Sequence, residues 1–241
     1  MIPRLSIIIP TYNERENIPT LLRKIFDVLK DASIDGEVIV VDDNSPDGTG
    51  VLLDDLAKDY SLSLSKGHQS LRVLHRAGKL GLSSAALEGF AAAKGDILAV
   101  MDADFSHPPE KLPEMFRLVE SGAADMVIGS RYIPGGKIIG WGWYRKLLSW
   151  GATLLSRPFT RVKDTMTGYF MVKRTCIADD MANGVFNPRG FKILLEILVK
   201  GKCKNVREVP IVFVNRTAGK SKNGPREIFA YLKNLWGYLR Q

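Results

Sequence analysis

Several common chemistries are absent from this 241-residue sequence. Two cysteines, Cys176 and Cys203, and three histidines, His68, His75 and His107, fall at no metal-ligand spacing, which excludes the usual zinc sites. The cysteines read as structural bystanders, and with no signal peptide in the first 30 residues a reducing compartment is expected. No run of 18 apolar residues occurs, so none of its segments spans a bilayer as a helix. Neither a G-x-G-x-x-G after the first apolar run nor a G-x-S-x-G elbow is found, which argues against a dinucleotide cofactor and a serine nucleophile. Gly219-Lys220-Ser221 imitates the end of a P-loop, but the pattern needs glycine where Val214 stands.

Acidic residues are scarce in one half only. Residues 1–120 hold 13 Lys and Arg against 19 Asp and Glu, whereas residues 121–241 hold 21 against 7, within a net charge of +8. The second half therefore calls for an anionic partner: nucleic acid, an anionic membrane surface or a phosphorylated substrate.

What is present is a βα alternation. The apolar runs "LSIIIPTYNE", "EVIVVDDNSPDGT", "LRVLHR" and "DILAVMDADF" are separated by "NIPTLLRKIFDVLKDA", "TGVLLDDLAKDY" and the small-residue stretch "GLSSAALEGFAAAKG". This predicts an α/β fold, a mostly parallel sheet with helices on both faces and right-handed crossovers. Further on, "DMVIGSRYIPGG" and "REVPIVFVNR" predict strands, and "NPRGFKILLEILVKG" and "REIFAYLKNLWGYLRQ" predict helices, the last amphipathic. Ligands bind beyond the carboxyl ends of such sheets, and three of the runs end there in polar residues.

"VMDADF" is the sharpest signal. Asp102 and Asp104 follow a buried run, point to one side by the period of two, and repel unless a cation lies between them, for which a divalent ion is the economical candidate. Asp47 in "SPDGT" reads as a turn former, and Asp42 and Asp43 divide evenly between turn and site. His107 receives no role.

Taken in order, "IIIPTYNERENIP", "VVDDNSPDGTG", "GKLGLSSA", "VMDADFSHPPE", "IGSRYIPGG" and "EVPIVFVNRTAGKSK" resemble the dolichyl- or polyprenyl-phosphate mannose synthases of the inverting GT-A glycosyltransferase family 2, from about Leu5 to Lys222. The resemblance implies one GT-A domain over 1–241, with a nucleotide-sugar half (1–105), an acceptor half (106–222) and an amphipathic interface helix (223–241). It implies transfer of mannose from GDP-mannose to dolichyl or polyprenyl phosphate on the cytoplasmic face of a membrane, with Mg²⁺ or Mn²⁺ and no nucleic acid. A transmembrane partner subunit, or a transmembrane segment after Gln241, would supply an anchor.

By the same resemblance Pro10, Tyr12, Glu14, Val41 and Asp43 line the nucleotide pocket; Asp102 and Asp104 hold the metal, with Ala103 and Ser106 close by. Glutamine stands in many relatives at the position of Ser106. Arg131, Arg145 and Ser149 meet the acceptor phosphate, and Arg216 and Lys222 close over the donor from "NRTAGKSKNGP", expected to be a lid. "DTMTGYF" departs from the D-x-T-x-G-x-R of some relatives, with Phe170 at the arginine position. "WYRKLLSWGATLL" mixes aromatic, aliphatic and basic residues as interfacial segments do, with a core or oligomer contact as the competing reading. A UDP-sugar donor and a non-catalytic lipid-phosphate-binding module remain as alternatives. A processive polysaccharide synthase is disfavoured, because Q-x-x-R-W cannot be built from Gln69 and Gln241.

Overall fold

The computed structural model describes residues 4–63, 69–188, 192–215, 231 and 234–238. Strands β1 (Leu5–Thr11), β2 (Gly36–Asp42), β3 (Gln69–His75) and β4 (Ile97–Val100) alternate with helices α1 (Ile18–Asp31), α2 (Thr49–Ser63) and α3 (Leu82–Ala92). Then come α4 (Leu112–Glu120), β5 (Met126–Ser130), β6 (Lys137–Ile139), α5 (Trp143–Leu155), β7 (Phe170–Lys173), α6 (Ala178–Ala182), α7 (Ile193–Lys200), β8 (Val206–Pro210) and β9 (Val212–Val214). The main sheet has the order β3-β2-β1-β4-β7-β5-β8, with β7 antiparallel to both neighbours and the other pairs parallel.

The period of two divides the core. Ile7, Ile9, Val38, Val40 and Ala99 face the apolar stripes of α1 (Leu21, Leu22, Ile25, Leu29) and α4 (Met115, Phe116, Val119). Their neighbours Ile8, Ile39, Val41, Leu98 and Val100 face α3 and α7 instead. Small residues let α3 approach the sheet closely: a Cβ at Gly89 would lie 2.4 Å from Ile8 Cγ2.

Two features depart from the sequence reading. The antiparallel β7 is not among its expectations, because "YFMVK" carries no turn signal distinguishing it from a parallel core strand. "REVPIVFVNR" is two strands: Ile211 donates its N–H to Ser130 O, and β9 leaves the main sheet to pair with β6. Cys176 and Cys203 are both free thiols, and burial pushes both up in pKa.

Asp125 ties the second half together, accepting the N–H of Lys204 and of Asn205, each at 3.0 Å, and pairing with Lys173 Nζ at 3.1 Å. The bond from Asn205 leads the interactions that lower its pKa. Asp125→Asn should therefore cost about 1–3 kcal/mol in urea unfolding. The native pKa lies below the unfolded one, so the ionic part of this contribution is present above the unfolded carboxylate's value and is lost as pH falls through the native one. An unchanged midpoint for Asp125→Asn would rule out this anchoring role.

Candidate active site

Parallel register brings the strand ends to one edge. Pro10 pairs with Val41, Thr11 with Asp42, and Ile8 with Val100, so Tyr12, Asp43 and Asp102 emerge side by side. Pro10 and Val41 are buried at that edge. Glu14 receives the side-chain amide of Asn17 at 2.8 Å, and its backbone N–H reaches Thr49 Oγ1 at 3.1 Å. Lys79 Nζ lies 4.3 Å from the centre of the Tyr12 ring. Asp43 is buried against Arg76 and accepts the N–H of Gly81 at 3.0 Å, which fixes the entry to α3. Asp47 is the turn former expected, accepting both the N–H and the hydroxyl of Thr49.

The acidic pair is held from below. Asp102 donates its N–H to His107 Nδ1 at 3.0 Å, and the buried imidazole stacks on Tyr169 with ring centres 5.0 Å apart. Tyr169 donates its hydroxyl to Pro108 O at 2.9 Å. Burial lowers the pKa of His107 despite the nearby Asp102 and Asp104, which agrees with a neutral ring whose Nδ1 accepts. His107, unassigned by the sequence, is thus a positioning residue for Asp102. Asp104 accepts the N–H of Ser106 at 3.1 Å, in a turn where Phe105 takes φ +59°. Ala103 is buried, and Ser106 Oγ is buried with no hydrogen-bond partner among the described residues. Two partly exposed carboxylates and one orphaned hydroxyl fit a divalent ion. Among the described residues no group of three His, Cys, Asp or Glu side chains could enclose one, so its remaining ligands would come from substrate and water.

Opposite lies the basic clamp. Arg131, just after β5, forks onto the fully buried Asp164: Nε to Oδ2 and Nη2 to Oδ1 at 2.7 Å each, with its backbone N–H on Oδ2 at 2.9 Å. Three rings surround the guanidinium, Tyr132, Trp141 and Phe213, at 5.5, 5.1 and 5.3 Å. Arg145 comes in from the first turn of α5, 4.0 Å from the Trp141 ring centre and bonded to Asn215 Oδ1 at 2.9 Å. Ser149 follows one turn later, its Oγ buried and without a hydrogen-bond partner among the described residues. Lys192, immediately before α7, lies within electrostatic reach of Asp102, Arg131, Asp164 and Arg145, and burial lowers its pKa.

Asp164, Lys192, His107 and Trp141 are the site residues that sequence reasoning missed. "DTMTG" held the signal for Asp164, and also supplies Gly168, whose Cβ would stand 3.1 Å from Asp102 Oδ1. Phe170 lies in the core, edge-on to Phe90, so the departure at that position leaves the site untouched. Arg216, Lys222 and the expected lid beyond Asn215 lie outside the described residues.

A mostly parallel sheet with an acidic pair at its strand ends and a basic clamp across from it defines a GT-A glycosyltransferase fold. The chain belongs to glycosyl transferase family 2, whose model matches residues 6–179. It is 41% identical over 242 residues to a dolichol-phosphate mannosyltransferase of Pyrococcus furiosus, covering 98% of this chain and 64% of that one. It is 37% identical to the dolichol-phosphate mannosyltransferase of Saccharomyces cerevisiae, covering 95% of this chain and 85% of that one. The chain thus spans just under two thirds of the Pyrococcus relative. Its fold superposes at a TM-score of 0.65 and 19% identity on a mannosyltransferase from Pyrobaculum calidifontis in complex with GDP-Man and Mn²⁺, covering all of this chain and 65% of that one.

Proposed function

We infer that the protein transfers mannose from GDP-mannose to the phosphate of dolichol or another polyprenol, at the cytoplasmic face of a membrane. The observation that carries this reading is the place of the basic clamp, with Asp102 on one side and an exposed apolar stripe on the other. On α5, Trp143, Leu147, Trp150 and Leu154 are exposed at helical spacing, while Arg145 and Ser149 turn inward. A phosphate on a lipid tail fits both faces of that helix at once. Tyr231 donates its hydroxyl to Ala152 O at 2.5 Å and packs with Leu235 and Tyr238 beside α5 and α7, while Trp236 is exposed. Among the described residues no helix is long and apolar enough to cross a membrane. The names of the Pyrococcus and Saccharomyces relatives support the sugar and the acceptor.

The chemistry needs no dedicated base. A phosphate monoester has its second pKa near ~6 and arrives as a nucleophile. One of its oxygens bonds to the anomeric carbon as the bond from that carbon to the diphosphate breaks on the opposite face, which inverts the configuration and releases GDP. Asp102 and Asp104, set by His107 and Ser106, would hold Mg²⁺ or Mn²⁺, which when bound offsets the charge of the leaving diphosphate. Arg131 and Arg145, with Ser149, orient the acceptor phosphate, and Lys192 bridges the two halves electrostatically. Pro10, Tyr12, Glu14, Val41 and Asp43 form the nucleotide side, and Arg216 and Lys222 are assigned to closure over the donor.

A donor panel of GDP-mannose, UDP-glucose and UDP-GlcNAc with a short polyprenyl phosphate and Mn²⁺ tests this reading. Transfer from GDP-mannose well above the others is expected. Preference for a UDP-sugar would overturn the donor assignment, and no transfer from any of them would leave a binding module.

A further inference from the structure

Trp141 has a feature that its neighbours do not explain. Its indole Nε1 is buried and has no hydrogen-bond partner among the described residues, although an indole nitrogen can only donate and a buried unsatisfied donor costs about 1–3 kcal/mol. Its surroundings hold it in place. Gly140, at φ +80°, turns the chain out of β6 with its Cβ position 3.0 Å from Asn215 Cβ, and the Trp141 ring meets Phe213 edge-on at 5.3 Å. The same ring carries both arginines of the clamp, Arg145 at 4.0 Å and Arg131 at 5.1 Å from its centre. Asp164 balances the charge of Arg131, and Arg145 brings a second guanidinium to the same ring, bonded to the neutral Asn215 Oδ1. An anion at this cationic face would give the orphaned N–H an acceptor.

We propose that Trp141 is a direct binding residue for the acceptor phosphate: its indole N–H donates to a phosphate oxygen, while its ring spaces Arg131 and Arg145 to grip the other oxygens. The assignment rests on the acceptor reading of the basic clamp. It favours the acceptor over the donor diphosphate because Trp141 precedes α5 by two residues and shares its surroundings with Arg145 and Ser149, whereas the nucleotide side is built from the ends of β1, β2 and β4. Ser149 Oγ and Tyr132 Oη, also buried and unpartnered among the described residues, lie one turn from Arg145 and directly beside Arg131 in the chain. The clamp thus combines neutral donors with guanidiniums, a mixture suited to an oxyanion with several oxygens to satisfy.

The test uses Trp141→Phe, which keeps an aromatic face and removes the N–H. A second variant carries benzothienylalanine at position 141, whose sulfur replaces the N–H at nearly constant shape, so that a folding defect in the first does not decide the matter. Steady-state transfer from GDP-mannose to a short polyprenyl phosphate is measured with each substrate varied in turn. Both variants should raise KM for the acceptor about tenfold, as loss of one hydrogen bond to a charged group implies, with KM for GDP-mannose within about twofold of the parent. Trp141→Leu, which also removes the ring, should in addition lower kcat. An unchanged acceptor KM in the benzothienylalanine protein overturns the proposal, and so does a rise confined to the GDP-mannose KM. A parent protein that transfers no mannose to polyprenyl phosphate defeats the acceptor reading itself, and this inference with it.

Discussion

Asp104→Asn is expected to cut mannosyl transfer by roughly 10³-fold or more while leaving the unfolding midpoint where it was. The two halves of that expectation have separate causes. Asp104 is only partly buried, and the N–H of Ser106 that it accepts is one that an amide oxygen accepts equally well. Loss of its charge therefore disturbs little of the fold. The same loss would halve the anionic charge offered to the proposed divalent ion, and no group of three His, Cys, Asp or Glu side chains among the described residues could hold it instead. Binding of Mn²⁺ in the presence of GDP, followed by electron paramagnetic resonance, should weaken in parallel. Unchanged turnover in this variant would remove the metal role from the acidic pair.

The second large effect concerns Arg131 and Asp164. This ion pair is buried on both sides and bidentate, and Asp164 also accepts the backbone N–H of Arg131. Removing one partner of such a pair strands the other's charge, at a cost of about 3–5 kcal/mol. Asp164→Ala should therefore lose both stability and transfer, which alone cannot separate a structural from a functional role. The double variant Arg131→Met with Asp164→Leu separates them: apolar replacement of a whole buried pair is often neutral for stability, so the midpoint should return towards the parent while transfer remains lost. Arg131→Lys should recover only part of the activity of the parent, because a point charge cannot reproduce the planar fork on Asp164. If the double variant transferred mannose at the parental rate, Arg131 would have no part in the reaction.

Reading the sequence goes furthest where period and punctuation coincide. Apolar runs that end in "PTYNE", "DDNSPDGT" and "DADFSH" place three strand ends together in a parallel sheet, and the register of β1 with β2 and β4 does so. Residues whose contribution depends on long-range pairing are much less legible. Asp164 matters because it meets Arg131, 33 positions away, and Lys192 because α7 carries it back to Asp102. Lys192 has no local neighbours that mark it out, and the motif around Asp164 does not name the arginine it meets. His107 escapes notice because a histidine beside proline looks like loop, and its function emerges only with the ring of Tyr169 beneath it. The split of "REVPIVFVNR" between two sheets is hidden for a related reason: an unbroken apolar run does not reveal that its ladder partners change at Ile211.

The antiparallel β7 also governs the order in which the molecule can be assembled as it is synthesised. β1 to β4 form a contiguous block from the first hundred residues, but β5 cannot dock beside β4, because the place between them is reserved for a strand that begins at Phe170. At a ribosomal rate of about 5–20 residues per second, the outer edge of β4 waits roughly 4–14 s for its partner. During that interval Ile97, Leu98, Ala99 and Val100 offer an apolar, unpaired ladder of the kind that recruits strands from other chains. Yield of soluble protein should thus be more sensitive to crowding of nascent chains than the stability of the finished fold would suggest, with β7 as the strand that ends the exposure.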